Sequence, residues 1–571
     1  VNQFNDVGSN GGGVNASRGD VGAFDIRALG TGNTLVLLNG RRMISTPSYQ
    51  TESIGGSFVP VATVNSNNIP VSLVDRVEIL RDGAGAIYGS DAVAGVVNNV
   101  LDTNFVGFQM RGRFHNWQHF NRDDHKFSMK YGENFNGGAT NVSMHFSFYQ
   151  RDRVEGSEDE IMGRCDYGDL VPAQFDSAFN RCSSNSAFGQ FDMSGTAPYT
   201  DGSGEFLIKL ASDPNCILQL GDGVCAASDS SGNYTHNWNG QRDVLGAVTR
   251  HNLFLFLNHE LANGNELFAE YGTYQSEYNG NRHSVSHFSS VKFVVPATNP
   301  YNFTGKALLM DNYRFVDAGA RNVDNDKETT RYLVGVRGDT TTGWDWESAA
   351  SYSVAEAFDV THNRVSNTLM DMLLHRTDET ASNPFNGGGI YQTGFVSHNP
   401  VDYTPGGIGP ALVDAFRANE RTMTTLDFRM SKPDIFSLAG GDVGMAFGLE
   451  TRNETFMDDR DPRLDGTIVF TERRTNGQLS TSAGDTYPYV SDLANSSPTP
   501  DNDGSRNVNS VYIEFDVPIV SPEMNIPVVE QFDLQLAYRQ EAYSDFEGTG
   551  VPRIAFGWVV NDILKIRGSQ Q

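Results

Sequence analysis

The chain is poor in basic residues. It holds 42 lysines and arginines against 70 aspartates and glutamates, which gives a formal net charge of -28 at pH 7. Nucleic-acid-binding proteins depend on lysine and arginine to neutralise phosphate groups. This charge balance therefore argues against a nucleic-acid partner.

Long apolar runs are also missing. A membrane-spanning helix needs roughly 18 or more predominantly apolar residues, and no stretch of the 571 residues approaches that. This argues against a helical membrane protein. A membrane β-barrel is not, because each of its strands needs only about ten residues and half of those are polar.

Cysteines are few and clustered. Cys165, Cys182, Cys216 and Cys225 lie within about 60 residues of one another, in a stretch without a strand pattern. An even, clustered set favours two local disulfides formed in an oxidising compartment. We predict the pairs Cys165–Cys182 and Cys216–Cys225 because short loops close easily, although the sequence does not decide the connectivity. Zinc binding would need tighter spacings, so no metal site is predicted.

Catalytic motifs are missing as well. The sequence has no Ser/His/Asp set with recognisable local context, no H-E-x-x-H and no paired carboxylates in a credible cleft. Gly30 and Gly32 do not make a dinucleotide-binding loop, because Leu35 stands where the third glycine belongs. We therefore predict neither an enzyme nor a cofactor.

The N-terminal region reads as a small, glycine-rich α/β unit. Residues 34–38 form a short apolar run, and Asn39-Gly40 is a strong signal for a tight turn. Residues 76–80 alternate charged and aliphatic side chains, as in a half-buried strand. Gly83 and Gly89 bracket a stretch that fits one helical turn, and small and β-branched residues at 92–97 suit another strand.

Beyond residue 104 the sequence alternates in steps of two over long segments. Val142, Met144, Phe146 and Phe148, for example, interleave with polar side chains, and one face of each such segment is free of charge. Since a Lys or Arg facing lipid costs roughly 2–4 kcal/mol at the bilayer centre, this segregation fits a membrane barrel. Strands are predicted near 106–114, 125–132, 141–150, 249–259, 265–276, 330–338, 344–354, 421–430, 442–455, 508–517, 531–541, 552–559 and 563–568.

The connections between these strands support the same architecture. Apart from the first and last outer loops they alternate between short turns and long segments, and the long ones are about 151–248, 277–329, 355–420 and 456–507. Short turns on one rim and long loops on the other are typical of outer-membrane barrels. A soluble β-sandwich has no reason for that asymmetry.

Two stretches, Ala28 to Arg42 and Leu73 to Asn98, closely resemble the plug domain of TonB-dependent outer-membrane transporters. The resemblance implies a plug at residues 1–103 inside a transmembrane antiparallel β-barrel that begins at 104 and runs to 571. The family's barrel has about 22 strands, whereas about 13 are visible here. We therefore expect the chain to be truncated at both ends, without the signal peptide and TonB-contacting segment or the last strands.

The same resemblance implies a function. Such receptors sit in the outer membrane of Gram-negative bacteria, among lipid and lipopolysaccharide, and import scarce nutrients with energy delivered by TonB, ExbB and ExbD. A ferric siderophore is the first expectation, while oligosaccharides, peptides, cobalamin and haem stay open. The alternatives are a passive porin or surface adhesin, and then a secreted β-rich hydrolase.

A plug must seal the lumen at rest and yet move when pulled, and polar contacts suit this because water can replace them. We therefore predict ion pairs between plug and barrel. The plug motif residues are Arg27, Gly30, Asn39, Gly40, Arg41, Arg42, Arg76, Glu78, Gly83, Tyr88, Gly89, Ala92 and Gly95, with Arg81 as a further candidate partner. The candidate barrel partners are Glu347, Glu450, Arg452, Glu514, Asp533 and Arg539.

Overall fold

The computed structural model of the chain describes most of its length. The described residues are 4–6, 21–48, 50–54, 57–81, 85–89, 91–221, 223–232, 234–287, 293–389, 399–401, 405–473, 490–496 and 498–570. Of the predicted plug residues, Gly83 lies outside these ranges.

Thirteen strands form one antiparallel sheet. Each of them pairs with the strand of this sheet that precedes it in the sequence and with the one that follows it. Every predicted strand is present in this sheet, so the predicted fold class is confirmed. The strands are β1 Gly107–Trp117, β2 Arg122–Phe135, β3 Thr140–Arg151, β4 Ala247–Glu260, β5 Glu266–Arg282, β6 Arg321–Asp339, β7 Asp345–Val365, β8 Leu412–Leu438, β9 Gly441–Arg460, β10 Asn502–Val520, β11 Gln531–Tyr543, β12 Thr549–Asn561 and β13 Leu564–Gln570.

The strands β5 to β9 are longer than the sequence predicts. Their ends at the long connections carry outward-facing acids such as Glu277, Asp326, Glu328 and Glu356, which a lipid-facing position would not tolerate. Acidic side chains replace many of the apolar ones on the outer side of these ends, so the alternation of apolar and polar residues is interrupted there. Backbone hydrogen bonds between the strands continue through these ends. The two-residue pattern therefore predicts only the part of each strand that faces the membrane.

Closer to the short turns, the outer face of the sheet carries a band of exposed apolar side chains. They include Tyr332, Val334, Tyr352, Leu426, Leu449, Val511 and Ile554. Water would disfavour so large an apolar surface, whereas lipid accepts it.

The N-terminal unit has a four-stranded sheet of mixed direction, ordered Arg41–Arg42, Thr34–Leu38, Gly95–Leu101 and Val74–Leu80. Thr34–Leu38 runs parallel to Gly95–Leu101, and the other pairs are antiparallel. Asn39 and Gly40 join the first hairpin with φ of 50° and 75°. Both values are left-handed, as the predicted tight turn requires.

Several smaller elements complete the structure. Two-stranded pairs join Phe4–Asp6 to Gly22–Phe24, Gln50–Ile54 to Ser57–Val61, Val154–Glu155 to Asp243–Leu245, and Val469–Phe470 to Val490–Ser491. The α-helices are Gly85–Tyr88, Asp176–Phe179, Asn367–Leu374 and Pro462–Asp465 within the described ranges. The described 3-10 turns are Thr31–Asn33, Ser66–Asn68, Asn136–Gly138, Gly156–Glu158, Gly168–Leu170, Ala173–Phe175, Asp229–Ser231, Asn239–Gln241, Val316–Ala318, Gly387–Gly389, Gly409–Ala411 and Pro522–Met524. In the part of the chain that the structure describes, no helix is long and apolar enough to cross a membrane.

The long connections fold into a cap with its own core, and here the prediction of a stretch without strands is wrong. The cap has a six-stranded sheet and packs against the helix Asn367–Leu374. Phe191, Phe206, Phe293 and Met310 in its core are fully buried. The strands are Gln190–Met193, Glu205–Leu210, Leu218–Gly221, Val224–Ser228, Phe293–Val295 and Leu308–Asp311. They are mostly too short for a two-residue pattern to show, and two of them come from a different connection.

The cysteines all lie in the connection that follows β3. Cys165 and Cys182 are joined by a disulfide, with Cα atoms 4.8 Å apart. Cys216 and Cys225 are free thiols, so the second predicted disulfide is not formed. Burial and a hydrogen bond with Cys216 raise the pKa of the Cys225 thiol to about 12. At neutral pH this thiol is therefore protonated.

Acid should weaken the cap. Burial and the nearby Arg314 lower the pKa of His236 to about 3, whereas the unfolded chain takes up this proton near pH 6.5. Stability is therefore complete above about pH 6.5 and falls by about 1.4 kcal/mol for each pH unit below it. We expect His236→Gln to reduce the loss in unfolding free energy between about pH 7 and pH 5 by about 2 kcal/mol. The measurement is thermal unfolding against pH, with the exposed His115→Gln as control. A wild-type slope in the His236→Gln variant would contradict this prediction.

Candidate plug–sheet contact site

The tight turn at Asn39 and Gly40 presents two plug arginines to the inner face of the sheet. Arg41 Nε lies 2.9 Å from Asp427 Oδ2, and Arg41 Nη2 also pairs with Glu347. Both carboxylates lie on neighbouring strands, β7 and β8, whose register places these side chains on the same face. Only 8% of the Arg41 side chain is exposed. This is a nearly buried ion-pair cluster that joins the plug to the sheet.

Arg42 makes a second set of contacts. Its guanidinium pairs with Asp91 of the plug and lies 3.7 Å from Glu450 Oε1 on β9. It also donates a hydrogen bond to the carbonyl oxygen of Tyr88. In the opposite direction, Arg331 of β6 donates a hydrogen bond to the carbonyl oxygen of Arg42. Arg41 and Arg42, two consecutive residues, therefore link the plug to four strands of the sheet, β6 to β9.

The charges of Arg41 and Arg42 are stabilised in spite of their burial. Burial is the largest single effect on each guanidinium and lowers its pKa, but the neighbouring carboxylates more than offset it. Asp427 and Glu347 do so for Arg41, and Asp91, Glu450 and Glu541 for Arg42. The net direction is a raised pKa for both, so both remain charged at any physiological pH.

The short helix Gly85–Tyr88 rests on β11. Arg539 is fully buried there and donates one hydrogen bond to the carbonyl oxygen of Ile87 at 2.9 Å and another to Glu541 at 2.9 Å. Gly89 has a φ of 100°, and a Cβ atom on it would lie 2.7 Å from Glu541 Oε1. Only glycine permits so close an approach between plug and sheet at this point.

Polar contacts continue around the plug. Asn39 Nδ2 donates to Glu270 of β5 at 2.8 Å, and Lys130 of β2 pairs with Asp102 at 2.9 Å. Apolar contact is local, with Phe254 and Phe256 of β4 in the same buried cluster as plug residues. Strands from β2 to β11 therefore contact the plug, and the sheet curves around it.

Four of the predicted plug residues are exposed to solvent. Arg76 and Glu78 are exposed and pair with each other at 2.9 Å on an outer plug strand. Arg81 is exposed, and so is Arg27, whose φ is 64°. Among the other predicted positions, Gly30, Ala92 and Gly95 shape the plug backbone and its core.

Some of the predicted sheet residues contact the plug and others do not. Glu347, Glu450 and Arg539 reach the plug, while Arg452 pairs with Glu450 at 3.0 Å and holds it in place. Asp533 instead accepts a hydrogen bond from Gln531 on its own strand. Glu514 lines a cavity of about 340 Å³ between plug and sheet, together with Arg41 and Arg42.

Sequence reasoning missed Asp427, Glu541 and Glu270. The sequence does contain a signal for Asp427. Alternate residues of a strand face the same side, so Asp427 faces inward on β8 together with Arg429, which pairs with Glu347 at 2.7 Å. Glu541 likewise lies two residues after Arg539 on the same face. Taking every second residue along the whole of each predicted strand as inward-facing identifies both Asp427 and Glu541.

Comparisons with known proteins agree with this geometry. Residues 1–96 match the TonB-dependent Receptor Plug Domain family. The vitamin B12 transporter BtuB of Vibrio vulnificus is 34% identical over 87 residues, which are 15% of this chain and 12% of that protein. The ferric enterobactin receptor PirA of Pseudomonas aeruginosa is 40% identical over 81 residues, covering 14% of this chain and 10% of that protein.

A solved structure extends the likeness in fold to the whole chain. The ferric enterobactin receptor PfeA of Pseudomonas aeruginosa aligns with 100% of this chain at a TM-score of 0.50 and 14% sequence identity. The chain spans 57% of the length of that receptor. The chain therefore carries the plug domain of a TonB-dependent receptor, a protein of the Gram-negative outer membrane, ahead of a β-sheet with the fold of such receptors.

Proposed function

We propose that this chain acts in the active import of a scarce nutrient, a ferric siderophore first, across the outer membrane. TonB, energised through ExbB and ExbD, pulls on the plug, and lipid and lipopolysaccharide surround the sheet. In this proposal residues 1–103 are the plug, and the barrel runs from 104 to 571.

The observation that carries the proposal is the way the plug is held. Arg41 and Arg42 bind carboxylates on three strands, and Arg539 binds the backbone of the short plug helix. Water can replace such polar contacts during a pull more cheaply than it can replace an apolar interface of the same size. A passive porin needs an open lumen and has no use for a plug fixed in this manner.

The substrate class rests on the relatives. Three of the matched receptors are named for ferric enterobactin, and another is named for vitamin B12. Vitamin B12, haem, oligosaccharides and peptides are therefore the next substrates to test after ferric siderophores.

The test is uptake of radiolabelled iron–siderophore complexes by the native host, with the receptor gene intact or deleted. We expect receptor-dependent uptake that stops when a protonophore is added or TonB is removed, and more receptor in iron-starved outer membranes. Uptake that persists without a proton gradient would support a passive channel instead. Energy-dependent uptake of a non-iron nutrient, with receptor levels unchanged by iron, would replace the siderophore by that nutrient.

A further inference from the structure

Two cavities adjoin each other where the plug meets the sheet. The lower cavity has a volume of about 530 Å³ and reaches the rim of the short turns, since Gly264 and Asp339 line it. The upper cavity, of about 340 Å³, lies between the plug and strands β7 to β11, and Glu514 lines it. The residues that line both cavities are Arg429, Ala446 and Tyr512. The two cavities therefore meet at these three side chains.

Of these three side chains, that of Arg429 is the one able to move. Ala446 has only a methyl group, and the ring of Tyr512 is confined, because a Cβ atom on Gly448 would lie 2.4 Å from it. The side chain of Arg429 is long and 38% exposed, and its ion pair with Glu347 joins Nη2 to Oε1 at 2.7 Å. A rotation of this side chain would therefore connect the two cavities.

The plug confines Arg429 from two sides. Oε1 of Glu347 accepts hydrogen bonds both from Arg41 of the plug and from Arg429. The turn at Asn39 and Gly40 lies next to the guanidinium, since a Cβ atom on Gly40 would be 3.0 Å from Nη1 of Arg429. If this turn moved away, Arg429 would depend mainly on its ion pair with Glu347, and a partly exposed ion pair is weak. The position of Arg429 therefore depends on the position of the plug.

The upper cavity is closed more firmly at its other end. There the helix Gly85–Tyr88 rests on β11, where Arg539 donates a hydrogen bond to the carbonyl oxygen of Ile87 at 2.9 Å. Arg539 also pairs with Glu541 at 2.9 Å, and only 2% and 1% of these two side chains are exposed. Breaking buried, charge-assisted hydrogen bonds costs more than moving a partly exposed side chain. The upper cavity therefore opens more readily towards the short turns than towards the long connections.

We propose that Arg429 is a gating residue, which closes the upper cavity towards the short turns and opens it when the turn at Asn39 and Gly40 is pulled away. This rests on the proposed import function and adds a route to it, in which the substrate leaves along strands β7 to β10. Charged side chains of both signs line the upper cavity, among them Arg42 and Asp427, so the route suits a hydrophilic substrate. A shift of this turn is then sufficient for release, with the rest of the plug in place.

The test measures whether a polar reagent reaches the upper cavity. Ser351 is half-buried and lines the upper cavity but not the lower one, so Ser351→Cys places a thiol there with little change in volume. The purified receptor also carries Cys216→Ser and Cys225→Ser, which leaves the added thiol as the one to be labelled by a charged methanethiosulfonate. We expect slow labelling with Arg429 present and labelling about tenfold faster or more in Arg429→Ala, because the two cavities then join. Arg429→Gln, a milder truncation, should give an increase in the same direction.

Arg337→Ala is the matched control for the loss of an arginine. Arg337 lines the lower cavity but not the upper one, is 41% exposed and pairs with Glu266 at 2.7 Å, so it resembles Arg429 in charge, exposure and bonding. Its loss should leave the labelling of Ser351→Cys slow. Arg429→Lys keeps a long, charged side chain at the boundary, so labelling should stay slow there as well. Ser431→Cys in the lower cavity should be labelled quickly in every variant, which shows that the reagent reaches the gate.

Fast labelling of Ser351→Cys with Arg429 intact would overturn the gate, and so would an unchanged rate in Arg429→Ala or an equal increase in Arg337→Ala. The import proposal is judged separately, by whether uptake needs the proton gradient. A gate in a receptor whose uptake needs no gradient would leave Arg429 its role and remove active import. Energy-dependent uptake, with no effect of Arg429→Ala on labelling, would retain import and remove the gate.

Discussion

Replacing Glu347 by glutamine and Asp427 by asparagine together is expected to make the host markedly more sensitive to large antibiotics such as vancomycin. Arg41 is the reason, since its side chain is 8% exposed and these two carboxylates are its ion-pair partners. Removing both leaves a buried cation without a partner, which typically costs about 3–5 kcal/mol. At the lower figure, the fraction of receptors with a displaced plug would rise about 100-fold.

The control for this variant lies on the same two strands. Glu356 and Glu420 are direct register partners on β7 and β8, and they lie on the outer face. The double change Glu356→Gln, Glu420→Gln removes the same charge without touching the plug, and it should leave antibiotic sensitivity as it is.

A third variant examines the cause. Adding Arg41→Met to the Glu347→Gln, Asp427→Asn pair removes the stranded cation, so it should restore much of the seal. A triple variant that leaks more than the double one would contradict this explanation. It would show that the remaining hydrogen bonds of Arg41 hold the plug, and that the unpaired charge of Arg41 does not displace it. Wild-type sensitivity in the double variant would equally show that this cluster does not hold the plug.

The sequence pattern predicts the strands and the face on which each side chain lies. The alternation of apolar and polar side chains predicts all thirteen strands, because lipid on one side and the lumen on the other impose it directly. It also places Glu347, Glu450 and Arg539 on the inner face. The alternation does not show which inward-facing charge contacts the plug, and so it predicts Glu514 and Asp533 on the same grounds as Glu347.

The cap, in contrast, could not be predicted from the sequence. Its strands are mostly short and are drawn from two separate connections, so its sheet depends on pairings between distant residues such as Phe191 with Met310. No local pattern encodes such a contact.

Truncating the cap core at Phe206 is expected to open the cap without releasing the plug. Phe206 is fully buried, with ring centroids 5.5 Å from Phe191 and 5.8 Å from Phe303. Phe206→Ala should cost about 3–5 kcal/mol, because it leaves a cavity among rigidly packed rings. A small six-stranded unit rarely has much more stability than that to lose. Proteinase K added to intact cells should then cleave the connection between β3 and β4.

The matched control is Phe175→Ala in the same connection, where the side chain is 50% exposed and its loss should change little. The plug is packed in a different buried cluster with Phe254 and Phe256 of β4, so Phe206→Ala should not alter vancomycin sensitivity. The Glu347→Gln, Asp427→Asn variant should therefore have a leaking plug under an intact cap, and Phe206→Ala an open cap over a sealed plug. Protease resistance in Phe206→Ala, or a leak as large as that of the Glu347 and Asp427 variant, would show that cap and plug are a single cooperative unit.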